Sequence, residues 1–301
     1  MDDAIRKKCG KRTTKLQKEE IVSKYLTGKY SCRNLGIIYN VSHNMISRIL
    51  KENSVKIISK TSNKFYFNEK YFDIIDTEYK AYFLGLLYAD GCNFPPRNTI
   101  NLVLQESDKH ILEIFNEELC LKRPLSFRTF KNNKKFKNAN NVYGLHIYNK
   151  YMSEQLSNLG CVQKKSLILE FPSTDIVPEN LQRHFIRGYF DGDGCIYVGK
   201  RKYNGKYKVH EYDICTISIL STYNMCTSIS NILQKLIDVE LVINIQPIKN
   251  SFLLTIGNKD VIKVLNLIYK NSTIYINRKY NKYILASNIE RFKNDQSITT
   301  N

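Results

Sequence analysis

Two short segments of the chain share one pattern and end in the same two residues. They are FLGLLYADG at Phe83–Gly91 and IRGYFDGDG at Ile186–Gly194, each an apolar run with one central glycine, closed by Asp-Gly. Asp90 and Asp193 occupy equivalent positions in the two copies. A duplicated carboxylate suggests two related halves that share one divalent-metal site, and hard oxygen ligands favour Mg²⁺.

The chain carries a large positive charge. With 46 Lys/Arg and 28 Asp/Glu its formal net charge is +18 at pH 7, and the excess is densest in residues 1–70. Such an excess favours a polyanionic partner, most often nucleic acid, over a merely soluble basic surface. No basic amphipathic anchor helix is evident, so a membrane partner is not expected. Metal-binding carboxylates in a basic protein indicate phosphodiester chemistry, in which metals activate water and hold the scissile phosphate.

The eight cysteines and five histidines show no ligand spacing. None of the cysteines forms a CxxC pair, so a zinc site is not expected. With no signal peptide or membrane-spanning run in view, we expect a reducing intracellular location with the cysteines as small core residues. That location is the cytoplasm of a prokaryote or a virus-infected cell, or an organelle.

The first motif belongs to a helix that must be buried on all sides. Every residue of the segment 81–89 except Gly85 is apolar or aromatic, which leaves the helix without a polar face. A glycine lets another helix backbone approach closely, and the natural partner is the second motif, through Gly188. This packing would bring Asp90 and Asp193 together, where a cation relieves their repulsion. The alternative is that Asp-Gly merely ends each helix.

From about Tyr71 the hydrophobic pattern repeats the order αββαββα, which predicts an α+β fold with pseudo-symmetric halves at 71–172 and 173–301. In the first half we predict helices and strands at Glu78–Ala89, Thr99–Gln105, Ser107–Leu119, Leu125–Phe130, Val142–Tyr148 and Lys150–Leu159. In the second half the predicted elements are Leu181–Phe190, Cys195–Gly199, Asp213–Leu220, Thr222–Ile237, Leu241–Ile248, Phe252–Ile256 and Lys259–Tyr269.

Residues 1–53 are predicted to form a small all-α domain, followed by a polar, basic linker at 54–70. Three helices are indicated by apolar spacing and capping residues, at Gln17–Leu26, Ser31–Tyr39 and Ser42–Glu52. In the second helix Leu35, Ile37 and Ile38 are predicted to face inward. A polar, basic outer face on the third helix is typical of a helix-turn-helix that enters the DNA major groove, and the predicted DNA contacts are His43, Asn44, Ser47 and Arg48. A generic three-helix bundle is the alternative.

The two motifs resemble the signature motifs of the LAGLIDADG homing endonucleases in their monomeric, two-motif form, over roughly Tyr71–Ile289. The N-terminal segment resembles a resolvase-type helix-turn-helix. The first resemblance implies antiparallel, saddle-shaped sheets that bind DNA, and cleavage of long double-stranded target sites. It also implies that Asp90 and Asp193 are metal-binding catalytic acids, with Ala89 and Gly192 as the small residues before them in the metal site.

Two positions bear on this resemblance within the motifs. Tyr88 stands where the first acid of the motif often lies, whereas Asp191 keeps that acid. Arg187, beside the central glycine, departs from the apolar consensus.

The resemblance further implies a basic residue near the metals. Aligning CVQKKS at Cys161–Ser166 with YINRKY at Tyr275–Tyr280 pairs Lys165 with Lys279. A lysine there would polarise the attacking water or neutralise the transition state, and a simple phosphate contact is the alternative.

Two basic, polar stretches between predicted strands, residues 122–137 and 200–208, are expected to follow the DNA groove and its phosphates. A solvated loop is the alternative for each. The candidate contacts are Arg128, Lys131, Lys134, Lys200, Arg201 and Lys202.

The sequence therefore predicts a site-specific double-strand DNA endonuclease that acts as a monomer, uses Mg²⁺ with Mn²⁺ as a substitute, and spreads a mobile intron or gene. Two alternatives stay open. One is a DNA-binding transcription regulator that has lost cleavage, against which both retained acids argue. The other is a maturase, whose partner would be intron RNA.

Overall fold

The computed structural model describes residues 13–27, 30–55, 57, 67–130, 140–204, 209–257 and 259–289. The chain forms two compact units, Met1–Lys64 and Phe65–Asn301. The described part of the smaller unit is helical, and the larger unit is α+β. Within the described parts of the chain, none of the helices combines the length and the apolar composition that a membrane span requires.

The described residues of the smaller unit form three short helices, α1 (Lys15–Leu26), α2 (Cys32–Ile38) and α3 (His43–Glu52). Their shared core contains Ile21, Tyr25, Leu35, Ile46, Ile49 and Leu50. Each helix begins after a residue whose side-chain hydroxyl accepts a hydrogen bond from a backbone N–H of the first turn. These residues are Thr14 before α1, Ser31 before α2 and Ser42 before α3. Such caps satisfy donors that a helix start leaves unpaired.

The predicted inward orientation of Ile37 and Ile38 is wrong, because these side chains are 81% and 50% exposed. The reason lies in Gly36, which is buried against the next turn. A Cβ on Gly36 would lie 2.8 Å from the Val41 carbonyl oxygen and 3.4 Å from the His43 nitrogen. Close backbone packing through glycine therefore turns the two isoleucines away from the core.

The first half of the larger unit has the order αββαββα, as predicted. Its elements are α4 (Glu78–Ala89), β1 (Gly91–Phe94), β2 (Thr99–Gln105), α5 (Lys109–Glu118), β3 (Ser126–Arg128), β4 (Val142–Tyr148) and α6 (Lys150–Asn158). The four strands form an antiparallel sheet in the order β1-β2-β4-β3. Strand β1 has only four residues, too few for an alternating pattern to reveal it.

The second half repeats that order and adds a helix. Its elements are α7 (Glu179–Asp193), β5 (Gly194–Asn204), β6 (Val209–Ser221), α8 (Tyr223–Ile237), β7 (Ile243–Ile248), β8 (Ser251–Gly257), α9 (Lys259–Tyr269) and α10 (Asn277–Ser287). The sheet order β5-β6-β8-β7 is equivalent to that of the first half. Residues 200–204, predicted to lie between strands, belong to β5, because they pair with residues 209–213 in a long hairpin.

One face of each sheet is buried and the other is open. On β2 the side chains of Ile100, Leu102 and Leu104 are buried, whereas Val103 between them is exposed. On β6 Cys215, Ile217 and Ile219 are buried in the same alternating way. The helices of both halves cover the inner faces and form one continuous core around α4, of which eight consecutive residues are buried.

The sequence predicted that the cysteines are core residues, and this prediction is wrong for some of them. Cys161, Cys215 and Cys226 are buried, but Cys92, Cys120 and Cys195 are exposed. Cys92 and Cys195 lie on the open faces of β1 and β5, because each is the second residue of a strand whose first residue follows a motif acid.

Candidate active site

The two motif helices cross in direct backbone contact, as their glycines predicted. A Cβ on Gly85 would collide with the Phe185 carbonyl and lie 2.9 Å from the Tyr189 nitrogen. A Cβ on Gly188 would in turn collide with the Tyr82 carbonyl and lie 3.0 Å from the Leu86 nitrogen. The neighbours are backbone atoms, which cannot move aside, so only glycine permits this crossing.

This crossing brings the ends of the two motifs together. Asp90 is the residue at which α4 ends, and Asp193 is the last residue of α7. Asp90 Oδ2 lies 3.2 Å from the position that a Cβ on Gly192 would occupy, and Gly192 immediately precedes Asp193. Both acids are solvent-exposed. The structure thus places the two predicted acids at one accessible point between the halves.

The surroundings of the two acids disfavour their negative charge. Loss of hydration and the neighbouring Asp193 charge raise the pKa of Asp90 to about 6, although Lys279, Lys165 and Arg278 oppose the increase. Loss of hydration also raises the pKa of Asp193, against the opposing charges of Lys165 and Lys279. The C-terminal ends of α4 and α7, which carry negative partial charge, add to the preference of this point for a cation.

The donor set at this point fits a hard divalent ion. No group of three or more His, Cys, Asp or Glu side chains suited to a metal occurs among the residues that the structure describes. Mg²⁺, however, keeps several waters and takes only one or two carboxylates besides substrate phosphate. Asp90 and Asp193 could supply those carboxylates, and the carbonyls of Ala89 and Gly192 lie next to them in the chain.

Both predicted lysines lie beside the acids, but they are held differently. Lys279, on α10, is 3% exposed and donates to the carbonyl oxygens of Phe190, Asp191 and Gly192 at 2.5, 2.7 and 3.2 Å. It thereby adds a donor in the last turn of α7, where a helix leaves its final carbonyls unpaired, although the Phe190 carbonyl also accepts the Gly194 N–H. The Gly192 carbonyl keeps one lone pair for another ligand.

Lys165 reaches the equivalent place in the first half. It begins a one-turn 3₁₀ helix, Lys165–Leu167, after Lys164 in the left-handed backbone region (φ 55°), and it donates to the Gly91 carbonyl. Its side chain is half-buried.

Burial lowers the pKa of Lys279 to about 8, with the charges of Asp191, Asp90 and Asp193 opposing the decrease.

Asp191 is a buried carboxylate outside the pair formed by Asp90 and Asp193. Its Oδ1 accepts from Tyr269 at 2.6 Å, and its Oδ2 accepts from Tyr82 at 2.8 Å and from the Ile276 N–H at 2.9 Å. Burial raises its pKa, which these hydrogen bonds and the Lys279 charge oppose. Because the side chain is 0% exposed, Asp191 serves the architecture rather than a ligand.

The equivalent position in the first half has a comparable role. The Tyr88 hydroxyl donates to the Leu159 carbonyl, in the turn that precedes Lys165. Position 88 and position 191 therefore each join a motif helix to the segment that carries the lysine of the same half. Sequence reasoning did not assign this role; a polar group inside an otherwise apolar run was the available signal.

The predicted DNA contacts of the larger unit lie on the outer strands of the two sheets. Arg128 is exposed at the end of β3, and Lys200, Arg201 and Lys202 are exposed on β5. Lys200 also pairs with Glu211 at 3.4 Å. Lys131 and Lys134 lie outside the described residues. In the smaller unit His43, Asn44 and Arg48 are exposed on α3 and Ser47 is half-buried.

A polar row on the open face of the first sheet escaped the sequence analysis. His146 Nδ1 lies 2.6 Å from Asn101 Oδ1, and Ser126 Oγ lies 2.8 Å from His146 Nε2. Burial and the charges of Arg123 and Arg128 lower the pKa of His146. Amide and hydroxyl side chains are among the groups that contact base edges in a groove. Their alternation with buried residues along β2 and β4 was the signal in the sequence.

No protein-family model matches the sequence, and a search of curated proteins finds no match. The structure is similar to the LAGLIDADG meganuclease I-AabMI bound to uncleaved DNA, at 13% identity over 70% of this chain and 90% of that chain, with a TM-score of 0.44. It is similar to the I-LtrWI LAGLIDADG homing endonuclease bound to target DNA, at 12% identity over 69% and 89%, with a TM-score of 0.45. It is also similar to I-SmaMI bound to an uncleaved DNA target in the presence of calcium ions, at 14% identity over 73% of this chain and 93% of that chain, with a TM-score of 0.44. These structures match about seven-tenths of the chain.

Proposed function

We propose that the protein is a site-specific double-strand DNA endonuclease of the LAGLIDADG homing endonuclease type that depends on a divalent metal. The observation that carries the proposal is the meeting of Asp90 and Asp193 at the ends of two helices that cross through Gly85 and Gly188. A paired, accessible carboxylate site in a chain of net charge +18 suits a substrate that brings its own negative charge.

The residues at this point have distinct roles in the proposed reaction. Asp90 and Asp193, with the neighbouring carbonyls of Ala89 and Gly192, would hold Mg²⁺, for which Mn²⁺ would substitute. The bound metal would activate water and stabilise the leaving oxygen. Lys165 would place a positive charge near the phosphate as negative charge develops on it. Lys279 would hold the end of α7, and with it Asp193, in place.

The two-fold arrangement suits the geometry of the substrate. The strands of duplex DNA are antiparallel, so cutting both requires two catalytic groups related by an approximate two-fold axis. The two halves of the larger unit provide this within one chain, which therefore would act as a monomer. Arg128, Lys200, Arg201 and Lys202 would contact phosphates beside the open faces of the sheets, and Lys131 and Lys134 are further candidates.

The smaller unit would add contacts to the same DNA. Polar side chains of α3 would enter the major groove as in helix-turn-helix proteins, namely the exposed His43, Asn44 and Arg48 and the half-buried Ser47. Together with the sheets, these contacts would read a long target, as the spread of a mobile intron or gene within a cell or organelle requires.

Cleavage mapping on a genomic or randomised DNA library tests the proposal. The wild-type protein with Mg²⁺ or Mn²⁺ should cut both strands at one long site and should not cut in EDTA. Asp90→Asn and Asp193→Asn should each bind that site with affinity close to wild type and lose cleavage, because each removes a metal-binding carboxylate.

Other outcomes would favour the alternatives. Tight, specific DNA binding without cleavage in any metal would indicate a transcription regulator. Protein-dependent splicing of a host intron RNA would indicate a maturase, alone or alongside cleavage. Wild-type rates in either aspartate variant would contradict the active-site assignment.

A further inference from the structure

Asp191 connects three elements of the larger unit through one buried carboxylate. Tyr82 belongs to α4 in the other half, Tyr269 ends α9, and Ile276 precedes the first residue of α10. A buried carboxylate needs its lone pairs filled, and three donors fill them here. The geometry therefore makes the position of α10 depend on Asp191.

Helix α10 lacks a cap of its own. Its N-cap residue is Ile276, whose side chain cannot accept a hydrogen bond from the first turn. Asp191 instead accepts the Ile276 N–H at 2.9 Å and places a negative charge at the helix start, where the helix dipole favours it. A residue of α7 thus provides the cap for α10.

Lys279 completes a reciprocal connection between the same two helices. It lies in the first turn of α10, where its N–H donates to the Ile276 carbonyl at 3.0 Å. Its ammonium group donates to the carbonyls of Phe190, Asp191 and Gly192, just before Asp193. Asp191 therefore holds the start of α10, while Lys279 holds the end of α7.

We propose that Asp191 is a positioning residue that sets Lys279 against the end of α7 and thereby controls cleavage of one of the two DNA strands. The inference rests on the proposed endonuclease function. It follows that the two halves of the active site are not equally constrained. In the first half the equivalent Tyr88 carries no charge, and Lys165 contacts a single carbonyl and is half-buried.

Asp191→Asn is the appropriate substitution because it keeps the size of the side chain. The amide oxygen still accepts, but the amide nitrogen cannot, so one side of the former carboxylate, toward either Tyr269 or the Tyr82 and Ile276 donors, loses its acceptor. The N-terminus of α10 also loses its negative partner. Tyr269→Phe is a milder second variant, since it removes one donor and leaves the carboxylate with Tyr82 and Ile276.

The test measures single-turnover cleavage of the mapped target by the full-length chain at saturating concentration, with each DNA strand labelled separately. The proteins are wild type, Asp191→Asn, Lys279→Met and the double variant. Asp191→Asn should slow cutting of the strand that Lys279→Met slows, by about tenfold or more, and leave the DNA dissociation constant within about twofold. The double variant should be no slower than Lys279→Met alone, because residues that act through one another are not additive.

A matched control separates positioning from general loosening of α10. Tyr283→Phe removes a partly buried hydrogen bond from α10 to Asn266 at 2.9 Å without touching Asp191 or Ile276. It should cut both strands at rates close to wild type. Thermal unfolding of every variant shows whether it is folded at the assay temperature. If Asp191→Asn is unfolded, Tyr269→Phe replaces it and should show a smaller loss of cleavage rate on the same strand.

Three results would overturn the inference. One is a decrease in cleavage rate that is equal for both strands in Asp191→Asn, or in Tyr269→Phe if Asp191→Asn is unfolded. Another is a decrease in cleavage rate on adding Asp191→Asn to Lys279→Met that is as large as the decrease in the wild-type protein. The third is normal cutting of bound DNA by Lys279→Met. A wild-type chain that cuts no DNA would instead contradict the proposed function.

Discussion

Arg187 and Glu78 form an ion pair that joins the two halves of the larger unit, with Nη2 and Oε1 2.6 Å apart. Arg187 is 1% exposed and also donates to the carbonyls of Ile268 and Ile274, each at 2.9 Å. Burial opposes ionisation of Glu78, but the Thr273 N–H and the charge of Arg187 lower its pKa. This explains the arginine that interrupts the second motif, because it holds the first turn of α4.

Arg187→Met should destabilise the protein strongly. The substitution leaves Glu78 partly buried without its main partner, and breaking such a pair costs about 3–5 kcal/mol. Urea denaturation would measure the free energy of unfolding. Lys235→Met is the control, because it removes an exposed ion pair with Glu179 at 2.7 Å. Glu179 is the first residue of α7, the helix that carries Arg187, and loss of this pair should cost at most about 1 kcal/mol. Equal losses in the two variants would contradict the interpretation.

Gly188→Ala should destabilise the helix crossing although it adds only one methyl group. The new Cβ would meet the backbone of Tyr82 and Leu86, and overpacking of this kind costs about 1–3 kcal/mol. Gly257→Ala is the matched control, since its nearest neighbour would be Thr216 Cγ2 at 3.8 Å, an ordinary contact. Thermal unfolding should show a lower Tm for the first variant alone; an unchanged Tm would exclude the close crossing.

The charge of Asp90 should make stability depend on pH. Its folded pKa, about 6, exceeds the ordinary value of 3.8, so between these pH values the folded chain holds a proton that the unfolded chain has lost. Asp90 therefore lowers the free energy of unfolding as pH rises through this window. Asp90→Asn should raise the Tm in EDTA more at pH 8 than at pH 5.

The control for this pH effect is Asp175→Asn, which changes an exposed aspartate before α7. Its effect on the Tm should be small at both pH values. A gain for Asp90→Asn that is the same at pH 5 and pH 8 would show that burial and the neighbouring Asp193 charge do not raise the pKa of Asp90. Added Mg²⁺ should stabilise wild type more than Asp90→Asn, because a ligand stabilises the state that binds it.

The two lysines should differ when each is replaced by methionine. Both Lys165→Met and Lys279→Met should reduce cleavage of bound DNA more than binding. A cation near the phosphate, the role proposed for Lys165, matters most in the transition state, and loss of Lys279 would release Asp193 at the end of α7. Only Lys279→Met should also lower the Tm, since it removes the ammonium donor from three carbonyls at the end of α7. Loss of affinity alone in both variants would make the lysines phosphate anchors.

Removal of residues 1–60 should weaken DNA binding and make it less dependent on salt. The segment carries much of the positive charge, and each lost phosphate contact reduces the slope of log K against log[salt] by about 0.9. Metal-dependent cutting should persist, because Asp90 and Asp193 lie in the other compact unit. Binding titrations from low to high salt measure the slope; a folded truncation that never cuts would make the first segment part of the catalytic unit.

The sequence by itself determined the repeated αββαββα order, because apolar periodicity is local and the same pattern occurs twice. It also indicated the crossing of the motif helices, since glycine in an otherwise apolar helix has few other uses. The pairing of Asp90 with Asp193 followed from that crossing. Short elements such as β1, and the outward orientation of Ile37 and Ile38, could not be predicted, because they depend on packing against neighbouring turns.

Only the tertiary structure decided the roles of the buried polar residues. Asp191 and its donor Tyr82 are 109 positions apart in the chain, as are Arg187 and Glu78, and no local pattern names such partners. The capping of α10 by a residue of α7 likewise depends on where two distant helices come to lie. Hydrophobic patterning specifies which faces are buried, whereas the partner of each buried polar group is set by the three-dimensional packing that follows.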